Sequence, residues 1–150
     1  MRSTGFAAAL FLVACAAVSE AQAPKTEELL VGTWNCSSNS NGAVITGPMT
    51  FVAGGKSKVT SNVAIPDATI EMTGTGNGTW KLLPDGTLEE VVTDFKVATA
   101  KTAGQPSPVE DMQAMIDAMV VNVPVISTFK LEPKSLVRTD QSGGITSCSR

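Results

Sequence analysis

The chain contains no histidine and no tyrosine. The first absence removes Ser-His-Asp and Cys-His nucleophilic systems, imidazole metal sites and the commonest general base at neutral pH. Positive charge is sparse: 11 Lys and Arg against 14 Asp and Glu leave a net charge of -3, with no basic footprint for nucleic acid and no polybasic stretch for a membrane surface. Cysteine is limited to Cys15, Cys36 and Cys148, too scattered for a metal site built on thiolates. Two pairs of adjacent acids occur, Glu89-Glu90 and Glu110-Asp111. Neighbours in a strand face opposite sides, and acids at a helix start answer to capping and the dipole, so neither pair reads as a glycosidase couple. Asp85 and Asp140 fall in turn signals, where Asp is expected for its turn geometry. Gly74-x-Gly76-x-Gly78 precedes strand-like residues rather than a helix start and is not a phosphate loop. No catalytic residue, metal or cofactor is therefore expected; what remains is binding.

Turning to what is present, Met1 to Gly5 carries one positive charge, and Phe6 to Val18 carries none. An apolar run of about thirteen residues is too short to span a bilayer and has the form of a signal sequence. Ser19 and Ala21 are small residues in the relation that signal peptidase accepts, which gives a signal peptide over 1–21 and a mature domain over 22–150. A second reading stays open. Leu12-Val13-Ala14-Cys15 resembles the lipobox of bacterial lipoproteins, which would make 1–14 the signal and Cys15 a lipidated anchor. Either way the protein is expected outside the cytoplasm, periplasmic or secreted in the first case and lipid-anchored in the envelope in the second.

Thirteen Gly and eight Pro, many Thr and Val, and a single helical-looking segment favour one all-β domain. Cys36 and Cys148, near its two ends, read as a disulfide in an exported protein, two free thiols being the alternative. Such a bridge contributes about 4 to 5 kcal/mol on the chain-entropy model. It also requires Cα atoms within about 7 Å, so the first and last strands must be neighbours.

Along the domain, Thr26 to Leu30 offers one helical turn, and Gly32-Thr33-Trp34 opens the first strand with Trp34 and Cys36 on one face. A polar loop is expected over Ser38 to Gly42. Strands follow over Met49 to Val52 and Lys56 to Ile65 around the Ala53-Gly54-Gly55 turn, then over Ala68 to Thr75. Gly74, Gly76 and Gly78 are expected to turn the chain into another strand over Gly78 to Leu83. Thr87 to Ala100 reads as a long strand, with Val91-Val92 allowing a bulge. Ser107-Pro108-Val109-Glu110 has the form of a helix start, with Ser as N-cap, and Met112, Met115, Ile116 and Met119 form an apolar stripe on that helix. The last strands are Val125 to Leu131, Leu136 to Thr139 and Ile145 to Arg150. Short turns force antiparallel neighbours, and neighbouring first and last strands force closure. An up-and-down barrel of about eight strands with one inserted helix results, a β-sandwich being the alternative.

Gly32-x-Trp34 after a short helical turn, Gly78-Thr79-Trp80, and Leu136-Val137-Arg138-x-Asp140 with Gly143-Gly144-Ile145-Thr146 resemble small bacterial lipocalin-like (calycin) domains over most of residues 26 to 150. That resemblance implies a basic residue over Trp34 at the closed end of the barrel, Arg150 first and Arg138 second. It implies no particular ligand.

Two features are candidates for binding. Phe51, Ile70, Met72 and Phe129 are expected to line an apolar cup, alongside Val59, Val63 and Leu82. Met112, Met115 and Met119 form an adaptable surface, read either as an entrance or as a helix packed on the barrel. The expected partner is a small apolar or amphipathic molecule. The alternative is another envelope protein, such as an extracellular hydrolase inhibited through the loops Ser37 to Gly47 or Lys101 to Ser107, or an assembly role. No nucleic acid is expected, and a membrane only if Cys15 is lipidated.

Overall fold

The computed structural model describes residues 25–40 and 42–150. The expected signal segment and Cys15 lie outside the described residues. Helix α1 (Thr26–Leu30) leads into β1 (Gly32–Ser40), β2 (Ala43–Val52) and β3 (Lys56–Ile65). After a 3-10 turn at Pro66–Ala68 come β4 (Ile70–Leu82), β5 (Leu88–Thr102), the two-residue β6 (Gln105–Pro106), α2 (Val109–Met119), β7 (Pro124–Glu132), β8 (Ser135–Asp140) and β9 (Ile145–Ser149). All neighbouring strands pair antiparallel. β1 pairs with both β2 and β9, and β4 with β5, so eight strands close into a barrel while β6 is a stub on β5. A two-sheet sandwich is excluded by the unbroken β1–β9 ladder from Asn35–Ser149 to Asn39–Ile145. Cys36 and Cys148 are direct partners in that ladder, with Cα atoms 4.0 Å apart, and are joined by a disulfide.

One end of the barrel is filled. Trp34, Phe51, Leu88 and Leu136 are fully buried there with Leu30, and Trp80 meets Phe51 edge-to-face at 5.7 Å. Both indoles find backbone acceptors: Trp34 Nε1 donates to Leu30 O at 2.8 Å and Trp80 Nε1 to Val52 O at 3.0 Å. Burying an indole without such a partner would cost the desolvation of its N–H. Arg150 closes this end from outside, its guanidinium 4.1 Å from the centre of the Trp34 ring. Its three nitrogens donate to Leu29 O (2.8 Å), Val31 O (3.0 Å) and Pro133 O (2.8 Å), which ties the end of α1 and the β7–β8 turn to the last residue. Carbonyls at a helix end lack intrahelical donors, so a planar cation with several N–H groups suits them. The glycine of Gly32-x-Trp34 follows from the same contact. Gly32 has φ +131°, and a Cβ there would lie 2.9 Å from Arg150 Nη1.

The structure corrects several local expectations. Gly74, Gly76 and Gly78 do not turn the chain; β4 runs through them, and all three are buried. A Cβ at Gly74 would stand 2.3 Å from the Phe95 ring, so the missing side chains make room for Phe95 and for the coiling of β5. The bulges fall at Thr93 and Ala98 of β5, where the β4–β5 register shifts, rather than at Val91-Val92. The expected loop after Ser37 shrinks because β1 runs to Ser40 and β2 starts at Ala43. The expected Lys101–Ser107 loop becomes the tight β5–β6 connection. Ser107 does not cap α2. Its hydroxyl turns back to Thr102 Oγ1 at 2.9 Å, and Pro108 takes the N-cap position.

Helix α2 sits in the seam between β5 and β7. These strands pair only through Leu88–Val91 and Pro124–Ser127, and β6 pairs only with Lys101 and Thr102, which leaves residues 92–100 of β5 without a strand on that side. Gln113 supplies what a strand would. Its Oε1 accepts from Val97 N at 2.9 Å, and its Nε2 donates to Phe95 O at 2.6 Å. Asn122 N donates to Val92 O at 2.7 Å and completes the cover. Below this edge Ile116 packs with Met72 and Val97, and Met112 and Met115 fill in around them.

Two outcomes are expected. Cys36→Ser or Cys148→Ser lowers stability by roughly 2–5 kcal/mol, read as a shift of the denaturant midpoint, and reductant moves the parent but not either variant. Arg150→Met costs about 1–3 kcal/mol, discounted for the partial exposure of the guanidinium. Arg150→Lys recovers little of this, because an ammonium cannot stack on Trp34 and serve three carbonyls in one plane. A fully rescuing Lys in urea denaturation would contradict the planar role.

Candidate functional site

The opposite half of the barrel is not filled. A cavity of about 300 Å³ opens there. Its wall comes from inward-facing residues of consecutive strands: Cys36 and Ser38 on β1, Ile45 and Met49 on β2, Val59 and Ser61 on β3, and Thr146 on β9. Val92, Val125 and the segment leaving α2 (Met119, Val120, Val123) complete it at the seam. The disulfide lies in this wall through Cys36. The alternation that sends Trp34 into the packed end sends Cys36 and Ser38 into the cavity, so one strand serves both halves.

Two charged side chains also line it, Glu90 of β5 and Arg138 of β8. Arg138 Nη1 and Glu90 Oε2 form an ion pair, and both side chains are about nine-tenths buried, at 11% and 10% exposure. They belong to strands separated by β7, where the buried Ser127 lies between Val125, the register partner of Glu90, and Phe129, the register partner of Arg138. Glu89 points the other way and bridges Lys81 on the outer surface at 2.8 Å.

Burial, opposed in part by the carboxylate of Asp140, holds the Arg138 guanidinium below its ordinary value, at about 10. It therefore stays charged at neutral pH. Asp140 is itself held below the usual carboxylate range, first by the Ser142 hydroxyl, within the β8–β9 turn. The ion pair does not use all its hydrogen-bonding groups: Glu90 Oε1 and Arg138 Nε have no partner among the described residues. A buried polar atom left this way costs about 1–3 kcal/mol, more when charged.

The residues expected to bind are dispersed. Of the ten expected residues, Val59 and Met119 line the cavity, and Met119 is 69% exposed at the rim. Phe51 and Phe129 belong to the packed end. Met72 is buried under α2, with Met112 and Met115 packed against the same cluster. Ile70 lies at the far end of β4, beside Pro66, Thr69 and Ala103. The reason is shared: large inward side chains fill space, so they mark where a barrel is solid rather than where it is hollow. The cavity falls where inward residues are short, as at Ser38, Ser61 and Thr146. Glu90 and Arg138 were legible in one respect, since each occupies the inward parity of its strand between apolar or buried neighbours, Leu88 and Val92 for one and Leu136 for the other. Their pairing across β7 was not.

Arg138, the second choice to cover Trp34, is engaged with Glu90, and Arg150 lies over the indole. No group of three or more His, Cys, Asp or Glu among the described residues is placed to hold a metal ion. Compared with protein-family models and with curated proteins, the chain matches none.

Removing one member of the pair should cost far more than removing both. Glu90→Ala leaves Arg138 charged and unpaired, and a loss of about 3–5 kcal/mol is expected, whereas the double variant Glu90→Leu/Arg138→Met stays within about 1–2 kcal/mol of the parent. Urea denaturation of the two single variants and the double one measures the coupling. Additive losses would show that the two charges do not depend on each other.

Proposed function

We propose that this is an exported, non-enzymatic binding protein of lipocalin-like kind that holds a small apolar or amphipathic molecule inside its barrel. The observation that carries the reading is the half-filled interior: a packed base, then a cavity of about 300 Å³ with mostly aliphatic walls, at the lower end of the ligand-pocket range of roughly 300–1,000 Å³. An eight-stranded barrel can be packed throughout, so a cavity in one half and a solid core in the other give the fold both stability and room. The adaptable Met119 and the apolar Val123 and Val125 stand exposed at the entrance, where an apolar ligand would first make contact.

Export is supported by the disulfide, which persists in oxidising compartments, together with the apolar leader of the sequence. Binding rather than catalysis is supported by the lack of histidine and by a site whose one acid and one base neutralise each other. The second reading, a protein partner in the cell envelope, draws on exposed apolar side chains outside the cavity, chiefly Ile145 at 53%.

An environment-sensitive apolar dye is expected to bind the parent with enhanced fluorescence. Met119→Asp, at an exposed position that folding tolerates, should weaken that binding about tenfold by placing a charge in the apolar entrance. Lys58→Asp, on the outer face of β3, should leave it unchanged. Titration of the dye against the three proteins decides, and native mass spectrometry of freshly purified protein shows whether a ligand is carried. No dye binding by the parent would favour the protein-partner reading.

A further inference from the structure

We propose that Met119 is a modification site: oxidation of its thioether to the sulfoxide by hydrogen peroxide or an organic hydroperoxide lowers the affinity of the cavity for an apolar ligand. The inference deepens the reading of the cavity as a ligand site and rests on it. Two observations meet at this residue. Met119 lines the cavity, and it is 69% exposed. The other methionines of the described residues are covered. Met72 is 4% exposed, and Met49, Met112 and Met115 are partly buried against the two core clusters. A peroxide in solution therefore meets one thioether well before the rest.

The helix explains the exposure. Met112, Met115 and Ile116 pack on the barrel, and Val120, just past the helix end, makes the next contact of that stripe. Met119, the last residue of α2, is left at the rim with no part in the cluster, so the fold does not depend on its bulk. A flexible thioether beside Val123 and Val125 suits an apolar ligand of variable shape.

In the reaction a sulfur lone pair attacks one oxygen of the peroxide and the O–O bond breaks. The second oxygen takes the proton of the first and leaves as water or an alcohol. Sulfur is oxidised by two electrons, and the peroxide is reduced by two. The product is polar and chiral, and it sets a strong acceptor in an apolar entrance. A ligand that covers the side chain must then strip water from that oxygen, and the neighbouring Val120, Val123 and Val125 side chains carry no donor to replace it. Methionine sulfoxide reductases reverse the change, which makes the site a switch rather than a lesion.

The test treats the mature protein with hydrogen peroxide, follows oxygen uptake at each methionine by peptide mass mapping, and titrates an environment-sensitive apolar dye alongside. Met119 is expected to oxidise about tenfold faster than any other methionine of the domain, and dye affinity to fall about five- to tenfold in step with it. The urea midpoint should stay where it was while Met119 alone is oxidised, which separates a change at the entrance from unfolding. In Met119→Leu, whatever its starting affinity, the same treatment should change dye binding by about twofold or less, because the sulfur is gone. Oxidation of Met49, Met112 or Met115 as fast as Met119, or an unchanged dye affinity at full conversion of Met119, overturns the proposal and leaves the cavity as an apolar binding site. So does a loss of affinity that persists in Met119→Leu, or one that tracks a falling urea midpoint. Failure of the untreated parent to bind dye overturns the reading of the cavity and the switch with it. The oxidation rates and the dye titration of the parent need no variant, so they decide even if Met119→Leu fails to fold.

Discussion

The pairing of β1 with β9 is the constraint from which the rest of the molecule follows. A meander of antiparallel strands has two free edges, and each is a row of unpaired N–H and C=O groups. Here the edges meet, and Cys36 and Cys148 sit opposite each other in the join. Because the covalent link falls between direct ladder partners, it sets the register as well as the proximity of the two strands. That register places Trp34 below the disulfide and Ser38 above it, so the boundary between the packed and hollow halves runs close to the bridge. The last residue then reaches the first helix, and Arg150 seals the packed end over the ring of Trp34.

Closure is not completed by strands alone. β5 outruns β7, and the stretch between Val91 and the short β6 pairing at Lys101 would be a free edge within a barrel that is otherwise closed. α2 takes that place, with the amide of Gln113 standing in for a strand's backbone. Such a cover gives up some cooperativity relative to a ladder, since one side-chain amide replaces a row of backbone pairs. It gains a surface that differs from a strand: the segment after the helix contributes Met119, Val120 and Val123 to the cavity wall. The element that repairs the barrel therefore also shapes the entrance to its interior.

The buried ion pair fits the same economy. Two charges withdrawn from water are a poor source of stability, and an apolar pair of similar volume would serve the fold as well or better. Both side chains nonetheless stand at the wall of the cavity, so the polarity they keep lies beside the hollow half of the barrel and not in its packed end. The pair spans the intervening strand on the face that carries the small, buried Ser127, and it adds two charged groups to a wall that also holds the hydroxyls of Ser38, Ser61 and Thr146.

Alternation, turn chemistry and the two distant cysteines were enough to specify an all-β chain closed on itself, because period-two patterning and short Gly, Pro and Asp turns act locally and a disulfide transmits one long-range fact. Local signals misled where the reason for a residue lay across the sheet. Gly74, Gly76 and Gly78 read as a turn, yet they clear space for Phe95 on the next strand. Ser107 read as a cap, yet it bonds back to Thr102. The binding residues chosen for bulk, Phe51, Met72 and Phe129, went to the solid parts of the core for the same reason. Which inward positions are filled depends on how side chains from eight strands meet in one volume, and no single strand carries that sum. The amino-acid sequence by itself determined the class, the closure and the bridge. Only the tertiary structure decided where the interior stays hollow and that Glu90 and Arg138 meet at its wall, because a cavity and an ion pair between non-adjacent strands are properties of distances that exist only once the barrel has closed.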